Sequence, residues 1–223
     1  MREIVSAYST VEVRRCRGYL DKEMRSRETR WGEFKFFIGM AKRTGGPILE
    51  LACGACRVSM VLAKAGFRVW GLEASPSMIR LGRKALDRLP ERVKNRVNLV
   101  KGDMCNFGPH DFGDRKFPLV IIPYTSFTFN FDRLATKILL SSSSILDSVE
   151  YGKKWEGLFL KQATDCVKSI ISVLNPKGIF VVDNPQMRGE FWKMASRKFG
   201  FSYSIMEPYD FDDVPVLVGK KLF

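Results

Sequence analysis

The chain has 223 residues, 45% of them hydrophobic and 17 of them phenylalanine, which suits one α/β domain with at most an added segment. Thirty-seven lysines and arginines against 24 acids leave a net charge of +13, a balance that favours anionic partners such as nucleic acid, phosphorylated metabolites or a membrane surface. No apolar run reaches the roughly eighteen residues of a membrane span, the N-terminus lacks a signal-peptide pattern, and five irregularly spaced cysteines argue against a secreted disulfide framework, so a cytoplasmic protein with reduced thiols is expected.

Residues 1–44 read as a preamble. Glu23 to Lys42 has helical periodicity, with Trp31, Phe34, Phe37 and Ile38 recurring on one side. Gly45-Gly46-Pro47 ends it. Packing on the body of the domain is the expectation for Trp31 and Phe37.

Pro47 to Ser75 organises the rest of the chain. Pro47 to Ala52 is a short apolar run containing Glu50. Cys53-Gly54-Ala55-Cys56 is a turn of small residues, and Val58 to Ala65 reads as a helix stopped by Gly66. A second apolar run, Phe67 to Gly71, leads to Glu73. Strand, tight turn, helix and strand ending on an acid is the build of a nucleoside- or dinucleotide-binding unit. Small turn residues let backbone N–H groups approach a ligand at the helix N-terminus, and the acid accepts from ribose hydroxyls. One glycine where a pyrophosphate turn needs three points to a nucleoside without phosphates.

ILELACGAC, with an acid about twenty residues later, resembles the first two motifs of the class I S-adenosylmethionine-dependent methyltransferases. It departs from their pattern at the last glycine, which is Cys56 here. The resemblance implies S-adenosylmethionine as cofactor. It places Ala52, Cys53 and Gly54 at the amino-acid end of that molecule, Glu50 at its ammonium, and Glu73 with Ala74 at its ribose. It also makes the N-terminal segment a lid over the substrate, with Tyr8, Tyr19, Trp31 and Phe34 as candidates to line it.

Ser75-Pro76 reads as an N-cap followed by a first-turn proline, with a helix to about Leu89. Eight cations and two acids lie between Arg80 and Lys101, either a solvated helix face or a phosphate-binding patch. Val97 to Lys101 is a third strand. The resemblance puts Asp103, with Met104, at the adenine amino group; by itself Asp103 is an Asx-type loop residue. Phe117 to Pro123 is a fourth strand, apolar throughout as a strand buried on both faces is. Its carboxyl end carries Pro123, Tyr124 and Ser126, where open parallel sheets bind ligands. The family places its substrate-facing motif here, and Tyr124 is the candidate catalytic residue. Ile121-Ile122-Pro123-Tyr124 lacks the Asp/Asn-Pro-Pro-aromatic motif of relatives that methylate DNA bases. It is closer to members that methylate small molecules.

Asn130 to Leu160 shows no clear pattern and reads as an insertion near the substrate mouth. Gln162 to Leu174 is a helix, ended by Asn175-Pro176-Lys177-Gly178. Gly178 to Val182 is a fifth strand, Arg188 to Phe199 a helix, and Phe201 to Glu207 and Val214 to Leu222 two last strands. The family pairs these antiparallel at the sheet edge.

Cys53-Gly-Ala-Cys56 at a helix start also has the spacing of a redox dithiol. The second strand and the two acids fit a nucleoside site better. Asp183-Asn184 resembles half of a catechol-type metal site, but Pro123 and Tyr124 stand where its other acid belongs, so no metal is expected. His110 lies in a polar loop and reads as solvent-exposed.

The expectation is therefore an α/β doubly wound, seven-stranded, mostly parallel sheet with an antiparallel C-terminal edge. Residues 1–45 would form a helical lid segment and 46–223 the S-adenosylmethionine-binding domain. The function expected is methyl transfer to a small-molecule or anionic acceptor, with nucleic acid as a possible partner from the charge alone. The alternative is a non-catalytic protein that keeps the pocket and binds nucleic acid through its basic surface. Oligomeric state is left open.

Overall fold

The computed structural model describes residues 31–123, 149–183, 189–206 and 215–223. Seven strands form one sheet: β1 (Ile48–Leu51), β2 (Val69–Glu73), β3 (Val97–Lys101), β4 (Phe117–Ile122), β5 (Leu174–Asp183), β6 (Phe201–Met206) and β7 (Val216–Lys221). Their order is β3-β2-β1-β4-β5-β7-β6, with the first five parallel and β7 antiparallel to both β5 and β6. β1 therefore sits at the point where the winding reverses. Open α/β sheets hold their ligands outside the carboxyl ends of the strands at that point.

The described helices are α1 (Trp31–Thr44), α2 (Arg57–Lys64), α3 (Pro76–Leu86), the single turn α4 (Glu91–Lys94), α5 (Val149–Val173) and α6 (Gly189–Phe199). β1 and β4 are central, and every residue of β1 is buried. Their side chains alternate between two cores. Leu49, Leu51, Val120 and Ile122 join α5 and α6 on one face; Ile48, Leu119 and Ile121 join α1 and α2 on the other. Period-two alternation puts Glu50 on the same face as Ile48, toward α1 and α2. Phe37 is fully packed in that core, as the aromatic spacing predicts, with Phe34 beside it.

Three expectations need correction. The helix read over Gln162 to Leu174 begins at Val149 and runs 25 residues. Its first turns include Glu150 to Lys154, a stretch without apolar periodicity, and periodicity is the signal that would have revealed it. Asn175 to Gly178, expected as a turn before the fifth strand, lies within β5 as an irregularity. Leu174 pairs with Phe117 and Ile179 with Leu119, and Lys177 takes a positive φ of 62° between them. The helix after Ser75 stops at Leu86 rather than Leu89.

Candidate functional site

The carboxyl ends of β1 and β2 are tied together by Glu73. Its Oε2 accepts from the Gly54 N–H at 2.8 Å, and its Oε1 accepts from the Ser75 N–H at 2.8 Å. The Cys53 N–H donates to the Leu72 carbonyl at 3.1 Å. One buried acid thus anchors both the turn after β1 and the loop after β2.

Left-handed backbone shapes the turn. Ala52, Gly54 and Cys56 have φ of 51°, 56° and 69°. A non-glycine residue pays roughly 1–2 kcal/mol for this conformation, which explains why a glycine is the easier choice at position 56. The Cys56 side chain is fully buried in a small core with Cys53, Met60 and Leu86. Its Sγ rests on Gly82 of α3, where an added Cβ would stand 2.7 Å from it. The Cys53 Sγ rests on Gly71 of β2 in the same way, also 2.7 Å from a notional Cβ. A cofactor seated on the turn therefore does not have to share its space with the Cys56 sulfur, because α3 carries a glycine to receive it.

The two thiols are free and lie against each other. Their mutual hydrogen bond, together with burial, pushes the Cys53 thiol well above its usual range. A redox dithiol needs a lowered value, so the raised Cys53 thiol speaks against that rival reading.

Glu50 is 3% exposed and accepts a short hydrogen bond from the Ser59 hydroxyl. Burial pushes its carboxyl up from 4.5 to about 7; Ser59 and the Arg57 charge pull it back, and Glu33 opposes them. Arg57 in turn makes two 2.7 Å hydrogen bonds to Glu33 of α1. Arg57, Ser59 and Glu33 are neighbours of the site that sequence reasoning passed over. The available signals were a hydroxyl inside an otherwise apolar helix and a cation at a helix start, where anions are favoured.

Asp103 follows β3 and is exposed. Its Oδ1 accepts from the Cys105 N–H at 2.8 Å, so one oxygen closes an Asx turn. Gly102 N–H donates to the Glu73 carbonyl at 3.1 Å, which places this loop beside the β2 end. Met104 is buried, Ala74 is half-buried, and Pro123 is buried at the end of β4. Tyr124 and Ser126, like Tyr8, Tyr19 and Asn130 to Ser148, lie outside the described residues. His110 is exposed on a 3₁₀ turn and is paired with Asp111 rather than with any of these groups. Among the described residues no three His, Cys, Asp or Glu side chains could together hold a metal ion, and no helix is long and apolar enough to cross a membrane.

A reversal point in a doubly wound sheet, a small-residue turn and an acid closing the second strand define a nucleoside-binding α/β domain. Residues 48–144 match the model of a methyltransferase domain family. None of the curated proteins matches the chain. Among solved structures the fold is similar to the glycopeptide N-methyltransferase MtfA, at 22% identity and TM-score 0.57 over 86% of this chain and 95% of that one. It is similar to S-adenosylmethionine-bound CalS10 of Micromonospora echinaspora, an amino pentose methyltransferase, at 16% identity and TM-score 0.63 over 90% and 95%. Streptomyces venezuelae DesVI is similar at 16% identity and TM-score 0.61 over 90% and 96%. Residues 48–144 are thus similar to a methyltransferase domain, and the fold is the one these solved methyltransferases share.

Proposed function

We propose that this chain transfers the methyl group of S-adenosylmethionine to a small-molecule acceptor that is itself anionic. The carrying observation is the Glu73 carboxylate, which is buried at the end of β2 and fixed to the backbone of both Gly54 and Ser75, where the ribose of a nucleoside cofactor would lie. Ala52, Cys53 and Gly54 then face the amino-acid end, Glu50 its ammonium, Ala74 the ribose, and Asp103 with Met104 the adenine. Pro123 at the end of β4 and Tyr124, the residue after it in the sequence, are assigned to the transferred group. Asp103 has a second carboxylate oxygen for that contact.

When bound, the cofactor supplies a sulfonium that is already an activated methyl donor. The chain's own residues contribute position. Gly54 leaves room at the turn, Glu73 fixes the turn against β2, and buried Pro123 closes the end of β4. Holding donor and acceptor in line accounts for most of the rate, and no strong base is required.

One observation bears on the acceptor's size and another on its charge. MtfA and CalS10 are named as acting on a glycopeptide and an amino pentose. The exposed face of α3 carries Arg80, Arg83 and Lys84, with Arg88 one turn further on. The acid on that face, Asp87, is paired with Lys94 at 2.8 Å. The row is left cationic along α3, from Arg80 near its start to Arg83 and Lys84 in its last turn, and its field would raise the local concentration of anionic acceptors around the domain. We further propose that the segment before residue 46, with α1 as its described part, covers the acceptor. Incubation with methyl-labelled cofactor and separate pools of anionic metabolites, neutral metabolites and RNA tests the acceptor class. Label entering the anionic small-molecule pool is the expected result.

A further inference from the structure

Helix α2 begins with a cation where helix electrostatics favour an anion. Arg57 is its first residue, and its first turn contains no acid. The Arg57 side chain is only 10% exposed and that of Glu33 only 16%. A buried cation requires a partner, and the fold supplies one from a different element. Glu33 Oε1 and Oε2 accept from the two terminal nitrogens of Arg57 at 2.7 Å each, the paired geometry that gives guanidinium–carboxylate contacts their strength. The guanidinium also lies 5.2 Å from the ring centre of Phe34. Glu33 and Phe34 belong to the first turn of α1. Arg57 follows Cys56, the last left-handed residue of the cofactor turn.

Glu50 lies within the field of the same pair. Arg57 of α2 and Glu33 of α1 act on it with opposite sign, Ser59 donates to it, and the Cys53 thiol feels it from the turn. One guanidinium thus holds the N-terminal helix, follows the cofactor turn in the chain and acts through its charge on the buried acid of β1.

We propose that Arg57 is a positioning residue that seats α1 against the cofactor turn and at the same time presents Glu50 to the cofactor's ammonium. The second half rests on the reading of Glu50 given above. The consequence is a signature that a plain tether lacks. Replacing Arg57 removes a cation and leaves the charge of Glu33 acting on Glu50 unopposed, so Glu50 becomes harder to ionise. Replacing Glu33 removes an anion whose charge opposes the ionisation of Glu50, so Glu50 becomes easier to ionise. Both changes break the same ion pair, and a role confined to anchoring α1 gives both the same effect.

The test is a carboxyl-carbon NMR titration of Glu50 in the full chain without cofactor, for wild type, Arg57→Gln, Arg57→Lys and Glu33→Gln. Calorimetric titrations of S-adenosylmethionine between about pH 6 and 8 accompany it. The wild-type midpoint is expected near the value of about 7 given above. Arg57→Gln should move it up by on the order of half a unit or more, and Glu33→Gln should move it down by a similar amount. Arg57→Lys should return it to within a few tenths of wild type, since the charge is kept. Cofactor affinity near pH 7 should fall roughly two- to fivefold in Arg57→Gln and hold or rise in Glu33→Gln. Midpoints that move together, or not at all, would overturn the proposal. If Arg57→Gln does not fold, Glu33→Gln decides: a downward shift supports the coupling and an unmoved midpoint overturns it. Midpoints that split as expected, with cofactor affinity indifferent to pH, would overturn the assignment of Glu50 to the ammonium and with it the positioning role.

Discussion

The Cys56 thiol and Gly82 form a matched pair across the α2–α3 contact: a Cβ at position 82 would sit 2.7 Å from the Cys56 Sγ. A cysteine at the third left-handed position of the turn is accommodated because α3 offers it a bare backbone. Gly82→Ala should therefore destabilise the fold by about 1–3 kcal/mol, the usual cost of overpacking a tight core. It should weaken the cofactor turn as well. Adding Cys56→Gly to that variant should recover most of the loss, since the sulfur is gone. Chemical denaturation of the two single variants and the double variant measures the coupling. Strictly additive effects would mean that the contact does not matter.

Cys56→Gly alone has two opposed effects. It relieves about 1–2 kcal/mol of left-handed strain and forfeits the burial of the sulfur. Stability should change by less than about 1 kcal/mol, and affinity for S-adenosylmethionine should be unchanged or tighter. Calorimetry under reducing conditions gives the answer. A large loss of affinity would assign the thiol a direct role in the site.

The fold's outline was legible because its signals are local. The apolar runs of β1 to β4, Ser75-Pro76 and the acid at position 73 each report their own element. The length of α5 was hidden because Glu150 to Lys154 is polar throughout and offers no periodicity. The bulge at Lys177 looked like a turn because Asn-Pro-Lys-Gly has turn chemistry, and only pairing to β4 shows that it lies inside a strand. Within the site, Glu50, Gly54 and Glu73 could be read from one contiguous motif. Arg57 with Glu33 could not, because their partnership spans 24 residues and two helices.

Glu50 makes stability depend on pH. Its folded value of about 7 lies above the 4.5 of an ordinary glutamate. The sign follows from that: the protonated carboxyl favours the fold fully below about pH 4.5, and the advantage fades as pH rises through 7. The shift corresponds to a few kcal/mol at most. Glu50→Gln keeps a neutral acceptor for Ser59. The variant should match wild type near pH 5 and exceed it in melting temperature near pH 8. Parallel curves across that range would contradict the assignment. The same variant should lose affinity for S-adenosylmethionine.

The cationic row on α3 predicts a dependence on salt. Reversing Arg83 and Lys84 to glutamate should lower kcat/KM for an anionic acceptor several-fold at low ionic strength. The difference should shrink in about 0.5 M salt, where screening falls to a few ångströms. Cofactor affinity should be unaffected, because neither side chain belongs to the Glu73 turn. An equal loss for neutral and anionic acceptors would remove the row from the account.

The most direct test of the central claim is a calorimetric titration of S-adenosylmethionine into wild type and Glu73→Ala under reducing conditions. Removing the carboxylate leaves the Gly54 and Ser75 N–H groups and the ribose hydroxyls without their acceptor, a loss of about 1–3 kcal/mol in binding. The account predicts one cofactor per wild-type chain and an affinity roughly 5- to 150-fold lower in the variant. Equal affinity in the two proteins, or no binding by wild type, would contradict it.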